Sequence, residues 1–416
     1  MKKLIFSVIV TILVMMLSTI TWAVTVDQVK FGVTVSNSGV WANYGELHTK
    51  AWAAAENAIN ELGGIYIPEL GKKLPVKIIV YDDTSDSTQA VRMYEKLMTV
   101  DKVNALFGPF GSPLTMAITT VAEKHKVPLM ALNASNYMVF GRGLNYLWGT
   151  QQTSFDYGRT PLRCLKDLMD EGKIPEKKLT YGLIYDTTEW EPHVRGFKSA
   201  VAMAEFKDSF ELAVEVPYEL GASSFNAIID KLRAANPDVL LGFATYSDIT
   251  GIIKYMKMGK FRPKFVFLFD ANLPELITGF NELVEGITSY WDWPVISDDT
   301  TPLYTKFREY FLAQGWGEPS IVYQTGLLAG AEVLVKAIET VGLDSEKIKN
   351  YIDANEFSTC VGTMKFGNMD VLGTELQGVN LLAGGNVFQV QDGEYVQIWP
   401  TKYATGKLQY PLSPDF

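Results

Sequence analysis

Hydrophobic positions along the chain alternate between short β-rich runs and longer stretches with helical spacing. Residues 29–35 and 76–81 are apolar runs of strand length, and the Ala-rich stretch 45–62 between them has the spacing of a helix. A strand, a helix and a further strand in this order predict a right-handed crossover and a parallel sheet. After 86, a capping pair of Asp86 and Gln89 predicts the start of the next helix.

The same alternation continues to the end of the chain and predicts its fold class. The further strands are predicted at 103–107, 127–132, 179–185, 211–216, 239–243, 265–269, 364–366, 386–391 and 395–398, and the helices at 113–126, 161–171, 194–206, 225–235, 302–314 and 321–341. The alternation pauses after 132, in a stretch rich in Gly, Asn and Tyr, and then restarts. We therefore expect an α/β protein with two doubly wound, parallel-sheet lobes that share the late elements.

The first 23 residues predict a secretory signal peptide. Lys2 and Lys3 precede an apolar run at 4–17, and a junction of mostly small residues ends at Ala23. The run is shorter than the ~20 residues that a membrane-spanning helix needs. We expect cleavage after Ala23 and a product that is free in the periplasm, because no Cys follows the junction to carry a lipid; an uncleaved anchor is the alternative.

Size and charge narrow the function classes. Removal of 23 residues from the 416 leaves 393, more than one hydrophobic core usually serves, which again favours two lobes. The formal charge of −10 becomes −12 without Lys2 and Lys3. An acidic chain without a basic cluster argues against nucleic acid or an anionic membrane as a partner.

The residues that most often carry catalysis or bind metals are sparse. The chain has no GxxxxGK[ST], GxGxxG, GxSxG or HExxH motif, and His48, His125 and His193 are scattered. We expect neither an enzyme nor a cofactor or metal. Cys164 and Cys360, 196 residues apart, allow one disulfide in an oxidising compartment, although two buried thiols are the interpretation we favour.

An ordered series of short segments resembles the branched-chain amino-acid-binding family of periplasmic solute-binding proteins of ABC transporters. The segments are Lys30-Phe31-Gly32-Val33, Tyr44-Gly45, residues 58–65, 82–86 and 107–112, Tyr185-Asp186, and residues 236–239 and 361–366. They cover nearly all of the chain beyond the signal peptide. The resemblance implies the type I, Venus-flytrap fold, in which two lobes joined by three crossings close on a ligand.

The resemblance also implies lobe boundaries. The first lobe is expected to comprise 27–150 and 290–358, the second 151–289 and 359–400, and a C-terminal tail 401–416. The three crossings are expected near 149–154, 288–294 and 358–362.

Candidate ligand contacts on the first lobe follow two predicted strands. Residues 108–112 end a strand and open a helix, so free amides and the Ser112 hydroxyl would face a ligand carboxylate at the positive end of the helix dipole. A simple helix cap is the alternative for Ser112. By resemblance, Ala134 and Ser135 would bind the head group of an amino acid; an ordinary polar turn is the alternative there.

On the second lobe, Asp270 follows the apolar strand 265–269, where amino-acid binders of the family carry an acidic residue. A ligand ammonium would pair with its carboxylate; a surface or capping role is the alternative. Trp41, Trp190 and Tyr246 would supply aromatic walls, as would Trp148, Trp291 and Trp293 near the crossings, although packing is the commoner role of any one of them.

Together these features predict the periplasmic binding component of an ABC importer. It would act as a monomer, capture an amino-acid-like molecule with a bulky apolar or aromatic side chain, and deliver it to a permease in the inner membrane. Trp41 and Trp190 depart from the commonest family pattern, which leaves Leu, Ile or Val in doubt as the ligand. The alternatives are an amide, a urea-like compound or an aromatic acid as ligand, or a sensing protein that docks on a membrane receptor.

Overall fold

A computed structural model describes residues 26–293 and 301–414 of the chain. The signal peptide predicted at 1–23 therefore lies outside the described residues. Within the described ranges, no helix is both long and apolar enough to cross a membrane.

The strands confirm the alternation that the sequence predicts. In chain order they are β1 (Val29–Val35), β2 (Ile65–Ile67), β3 (Lys72–Leu74), β4 (Val76–Asp82), β5 (Ala105–Phe107), β6 (Leu129–Ala131), β7 (Leu147–Gly149), β8 (Leu179–Asp186), β9 (Phe210–Tyr218), β10 (Val239–Phe243), β11 (Phe265–Leu268), β12 (Thr288–Trp291), β13 (Glu356–Thr359), β14 (Gly362–Val371), β15 (Thr374–Asn380), β16 (Asn386–Gln391) and β17 (Glu394–Trp399).

The helices fall between these strands. They are α1 (Ala42–Glu61), α2 (Ser87–Lys96), α3 (Ser112–His125), α4 (Ser154–Asp170), α5 (Glu191–Val201), α6 (Asn226–Ala235), α7 (Tyr246–Met258), α8 (Pro274–Phe280), α9 (Pro302–Ala313), α10 (Gly326–Val341) and α11 (Ser345–Ala354). Short turns of 3₁₀ helix occupy Pro68–Leu70, Tyr137–Val139, Asn281–Val284 and Thr401–Tyr403, and π-helical turns occupy Leu97–Asp101 and Ile321–Thr325. Asp86 caps α2 as predicted, because its side chain accepts a hydrogen bond from the Gln89 amide.

The first lobe is built on a sheet with the strand order β13-β14-β15-β7-β6-β5-β1-β4. Its strands from β15 to β4 pair in parallel, whereas β13, β14 and β15 form antiparallel pairs. Helices α1 to α3 and α9 to α11 belong to this lobe, and α9 packs against α1. Apolar side chains of the sheet and of α1 and α10 form the largest core, because both faces of a parallel sheet must be covered.

The second lobe is built on a sheet with the order β17-β16-β12-β11-β10-β8-β9, flanked by α4 to α8. Strands β8 to β12 pair in parallel, and β16 and β17 add antiparallel strands at one edge. Residues of the tail lie along this lobe: the Leu412 amide donates to the Lys264 carbonyl, and the Leu412 side chain is buried in the second-lobe core.

The chain passes between the lobes at three places, and the third differs from the expected position. It leaves the first sheet after Gly149 and enters α4 at Ser154, and it leaves the second sheet after Trp291. Residues 358–362 are not a crossing, since β13 and β14 form a hairpin there and both remain in the first lobe. The crossing lies instead at 381–385, between β15 and β16, so residues 359–380 belong with the first lobe.

A local feature explains why 358–362 turns back. Gly362 has a φ of +117°, which side-chain-bearing residues rarely adopt, and the Thr359 hydroxyl donates to the Gly362 carbonyl at 2.6 Å. The two residues are paired across the hairpin. The Gly at this position therefore closes a tight turn.

The two cysteines lie in different cores. Cys164 is buried among second-lobe residues and Cys360 among first-lobe residues, and both are free thiols. This agrees with the interpretation as two small buried side chains.

Close contact between α4 and α5 depends on Gly158. A Cβ at this position would lie 2.3 Å from the Phe197 amide nitrogen and 2.7 Å from the His193 carbonyl oxygen, which are backbone atoms. We expect Gly158→Ala to lower the free energy of unfolding by about 1 to 3 kcal/mol, because α5 would have to shift away from α4. Denaturant unfolding followed by circular dichroism measures this change.

Gly279→Ala is the matched control, because no atom lies within 4 Å of its Cβ position and the residue sits near the end of α8. The free energy of unfolding of this variant should stay the same or rise slightly. Equal stability of the two variants would contradict the close packing of α4 on α5.

Candidate ligand-binding site

A cavity of about 450 Å³ lies between the two lobes, a size usual for small-molecule sites. The carboxyl ends of the parallel strands of both sheets meet at this cavity. In doubly wound folds, the loops at these strand ends bind ligands. The first lobe lines it with Val40, Trp41, Asn43, Tyr44, Phe110, Gly111, Ser112, Asn133, Ser135 and Tyr323, the second with Tyr157, Glu189, Trp190, His193, Leu220, Gly221, Thr245, Tyr246, Ser247, Asp270, Asn272 and Tyr290, and the crossings with Gln151 and Asp292.

Aromatic rings form the first-lobe wall. Tyr44, in the first turn of α1, stacks on Phe110 with ring centroids 4.0 Å apart and planes 14° apart. Trp41 precedes α1 and lies at a tilt to the same Phe110 ring, with centroids 6.4 Å apart. Tyr323 packs against Tyr44 from the turn before α10. These rings give one side of the cavity a flat, apolar surface that suits a bulky ligand.

The polar part of the first-lobe wall is formed by the loops after β5 and β6. Ser112 is the first residue of α3, and Gly111 occupies the cap position, so the Ser112 hydroxyl does not cap the helix as the alternative interpretation proposed. Instead it accepts a hydrogen bond from the Asn136 amide at 3.0 Å and so ties the two loops together. Ser135 faces the cavity, whereas Ala134 is buried in the first-lobe core and is not among the lining residues.

Asp270 projects into the cavity from the end of β11. Its φ of 57° is left-handed, a conformation that Asp and Asn adopt more readily than most residues. The hydroxyls of Tyr44 and Tyr323, both on the first lobe, lie 3.5 Å from its two carboxylate oxygens. Burial raises its pKa to about 7, since these long hydrogen bonds only partly replace water.

Trp190 and His193, at the start of α5, form another part of the second-lobe wall. Trp190 packs on His193 at 4.5 Å and on Phe269 at 5.4 Å, and its indole Nε1 has no hydrogen-bond partner among the described residues. His193 Nε2 lies 2.8 Å from the Ser135 hydroxyl, a contact across the cleft. Burial lowers the pKa of His193 to about 3, so the ring is neutral.

Glu189 precedes Trp190 and lines the same part of the wall. Burial, and to a smaller extent the nearby Asp186 carboxylate, raise its pKa to about 7. Tyr246, the first residue of α7, is partly exposed on the adjacent part of the wall.

Asp292 connects the crossings at the base of the cavity. The Tyr157 hydroxyl donates to both of its carboxylate oxygens, at 2.8 and 2.9 Å, and the Gln151 amide donates at 2.8 Å. Burial nevertheless raises its pKa to about 6. Gln151 lies in the first crossing and Asp292 directly after β12, so this network fixes two crossings against each other.

The charges around the cavity have one sign. Glu189, Asp270 and Asp292 are acidic, and no Lys or Arg is among the described residues that line it. Contacts from both lobes meet at Asp270 and at Ser135, so the described conformation is a closed clamp. A cavity of this kind favours a ligand with a positively charged group.

Most of the ligand-binding residues that the sequence predicts lie around this cavity. Trp41, Ser112, Ser135, Trp190, Tyr246 and Asp270 all line the cavity, and Ala134 does not. Their contacts with a ligand stay predictions.

The tryptophans near the crossings pack elsewhere. Trp148 is buried and donates its indole N–H to Asp353, Trp291 stacks on Phe388 with centroids 3.9 Å apart, and Trp293 is buried in the first-lobe core. None of the three is among the cavity-lining residues.

Sequence reasoning missed several lining residues. Tyr44 and Phe110 lie in segments that carry the family resemblance, and Glu189 is next to Trp190. Phe110 and Glu189 also follow the ends of predicted strands, and this signal could have identified them as lining residues. Tyr323 lies in a stretch predicted as plain helix, and the sequence carries no signal that it reaches Asp270.

Comparison with known proteins is consistent with this architecture. The family model described as periplasmic binding protein matches residues 28–374. The Leu/Ile/Val-binding protein homolog 8 of Brucella abortus (strain 2308) is 23% identical over 409 residues, which cover 95% of this chain and 96% of that protein.

Two solved structures share the fold. The leucine binding protein of Thermotoga maritima superposes with a TM-score of 0.70 at 21% identity, covering 90% of this chain and 99% of that one. The branched-chain amino acid transporter substrate binding protein of Streptococcus pneumoniae, solved with isoleucine, also gives 0.70, at 20% identity and with coverage of 89% and 100%. With the family match spanning most of its length, this chain belongs to the periplasmic binding protein family.

Proposed function

We propose that this protein captures an amino acid or an amino-acid-like small molecule with a bulky apolar or aromatic side chain and delivers it to an ABC importer. The observation that carries the proposal is the position of Asp270. Its carboxylate faces the cavity, across from the loops of Ser112 and Ser135, and among the described residues it is held by two long hydrogen bonds alone. A ligand ammonium would supply the missing counter-charge.

The first-lobe loops suit the other end of such a ligand. Gly111 and Ser112 open α3, where free backbone amides and the helix dipole favour a carboxylate. The rings of Trp41, Tyr44 and Trp190 would enclose the side chain. The relatives named for binding Leu, Ile and Val, and the neighbour solved with isoleucine, support an amino-acid ligand.

The alternatives for the ligand fit the charges less well. An aromatic acid, or another ligand whose only charge is a carboxylate, would enter a cavity whose described lining holds Glu189, Asp270 and Asp292 and no Lys or Arg. Repulsion from these carboxylates would weaken its binding. A neutral amide or urea-like compound would leave Asp270 without a counter-charge.

The family match and the N-terminal sequence support a proposal for the cellular setting of this activity. In this proposal the protein is exported, and its signal peptide is cleaved after Ala23. The mature protein is a free monomer in the periplasm, and its partner is a permease in the inner membrane. It performs no catalysis, so incubated amino acids should be recovered unchanged. Docking on a sensory receptor instead of a permease would use the same clamp, and a pull-down with the membrane components encoded beside the gene separates the two roles.

A thermal-shift screen tests the proposed ligand class. Ligand-stripped protein should melt at a higher temperature with its amino-acid ligand, because the ligand binds only the folded, closed form. At a concentration 100 times the Kd the gain is about 2.7 kcal/mol, or roughly 3 °C for a chain of this length. An unchanged melting temperature with every amino acid of a full panel would contradict the proposed amino-acid ligand.

A further inference from the structure

A hydrogen bond across the cleft joins His193 of the second lobe to Ser135 of the first. The ring Nε2 lies 2.8 Å from the Ser135 hydroxyl, and within the part of the chain that the structure describes this is the one hydrogen bond of that hydroxyl. His193 is 6% exposed, and its ring stacks on Tyr157 at 5.4 Å and packs on Trp190 at 4.5 Å. These two aromatic contacts hold the imidazole in place, with Nε2 directed at the first lobe.

The position of the ring proton decides which of the two partners donates. Burial lowers the pKa of His193 to about 3, so the ring is neutral and carries one N–H. A backbone hydrogen bond to Glu189, four residues earlier, opposes this shift, so the backbone group concerned is an acceptor, the carbonyl. Because Nε2 faces Ser135, Nδ1 is the nitrogen left for this carbonyl, although the contact is poorly aligned and Nδ1 has no hydrogen bond of ordinary geometry among the described residues.

A carbonyl beside Nδ1 favours the tautomer with the proton on that nitrogen. The other tautomer would set two acceptors, the bare Nδ1 and the carbonyl oxygen of Glu189, side by side in a buried place, where unpaired polar groups are costly. With the proton on Nδ1, Nε2 is an acceptor and the Ser135 hydroxyl donates to it.

The two serines of the cavity then offer a ligand opposite groups. A hydroxyl has one hydrogen and two acceptor lone pairs. Ser135 donates its hydrogen to His193, which leaves lone pairs for the cavity that it lines. Ser112 accepts from the Asn136 amide at 3.0 Å, which leaves its hydrogen for an acceptor. Ser135 therefore suits a ligand N–H, whereas Ser112 suits a carboxylate oxygen.

We propose that His193 is a positioning residue for the ligand head group, because it orients the Ser135 hydroxyl to accept a hydrogen bond from the ligand ammonium. The inference rests on the proposed function and specifies how the head group is recognised. The ammonium lies between Asp270 and Ser135, and the carboxylate lies at the Ser112 loop. Since His193 and Ser135 belong to different lobes, the oriented hydroxyl exists only in the closed clamp, and recognition of the ammonium is completed by closure.

Nuclear magnetic resonance on the ligand-free mature protein measures the tautomer directly. The chain has three histidines, so ¹⁵N labelling of histidine gives few ring signals, and the His193→Gln protein identifies those of His193. At pH 5, where an exposed imidazole is charged, we expect a neutral His193 ring with its proton on Nδ1 and a bare Nε2. A proton on Nε2, or on both nitrogens, would overturn the inference.

Calorimetry on variants measures the effect on binding, with L-phenylalanine, L-leucine and every other amino acid that raises the melting temperature as probes. His193→Leu removes the acceptor and should weaken binding about tenfold. His193→Gln places an amide oxygen near the position of Nε2 and should bind within about threefold of the unmodified protein. In the Ser135→Ala protein, His193→Leu should change the Kd by less than about twofold, because the hydroxyl that it orients is gone. The matched control is His125→Leu, at the end of α3 and outside the cavity lining, which should leave the Kd unchanged.

The outcomes separate this inference from the proposed function. Full affinity in folded His193→Leu protein, or an equal loss with and without the Ser135 hydroxyl, would overturn the positioning role, since His193 would then act through packing alone. If His193→Leu does not fold, the tautomer measured in the unmodified protein still decides. A wrong tautomer overturns the inference while an amino-acid ligand still stands. Absence of binding by every amino acid would overturn the proposed function together with the inference.

Discussion

Asp270→Asn should weaken the binding of a proven amino-acid ligand by roughly 2 to 5 kcal/mol, which corresponds to about 30-fold to several thousand-fold in Kd. The substitution removes the charge of a buried carboxyl that faces the ligand ammonium. The backbone should be little affected, because Asn tolerates the left-handed φ of 57° found at this position. The loss therefore reports the charge and not a distorted loop.

Calorimetry on the purified variant measures this loss, and Asp208→Asn serves as the matched control. Asp208 is exposed on the same lobe and does not line the cavity, so its substitution should leave Kd unchanged. Trp190→Phe keeps most of the ring contact and should cost less than Asp270→Asn. Unchanged affinity in the Asp270→Asn protein would show that the ammonium binds elsewhere.

The alternation of apolar strands and amphipathic helices made most of the fold predictable. Buried parallel strands such as β10 and β11 read as continuous apolar runs, and each is followed by a helix within a short distance. The third crossing was not predictable in this way. The sequences of β13 and β14 are compatible with pairing in either sheet. The tight turn at Gly362 folds β14 back onto β13, which keeps both strands in the first sheet.

The candidate site likewise has a part that the sequence predicts and a part that it does not. Ser112, Ser135 and Asp270 follow parallel strands, and the geometry of such sheets brings strand ends together whatever the loops contain. The contacts that hold Asp270 come from Tyr44 and Tyr323, which are 226 and 53 residues away from it in the sequence. Pairings over such distances depend on how the lobes close, which no local pattern encodes. The burial of Ala134 likewise depends on packing beneath its loop.

The ligand-free clamp should open as the pH rises from about 4 to above 7. Burial in the closed form raises the pKa of Asp270 to about 7 and that of Glu189 to about 7, from ordinary values of 3.8 and 4.5. In an open clamp, water would return both groups toward those ordinary values. A raised carboxyl pKa means that the closed form binds more protons, so each of these carboxyls favours closure in acid by about tenfold per pH unit in this window. His193, whose pKa burial lowers from 6.5 to about 3, opposes one of them below about pH 6.5.

Solution scattering measures this shift as a radius of gyration that grows between pH 5 and pH 8 in the absence of ligand. A proven ligand should reverse the growth at pH 8, because its ammonium supplies the counter-charge that the ionised Asp270 lacks, and the ligand touches both lobes only when they are shut. Ligand-free Asp270→Asn protein should stay closed to a higher pH, since one of the carboxyls that titrate with opening is gone. Scattering curves that superimpose at both pH values, with and without ligand, would contradict the clamp, and they would leave the negative charge of the cavity without a role in its motion.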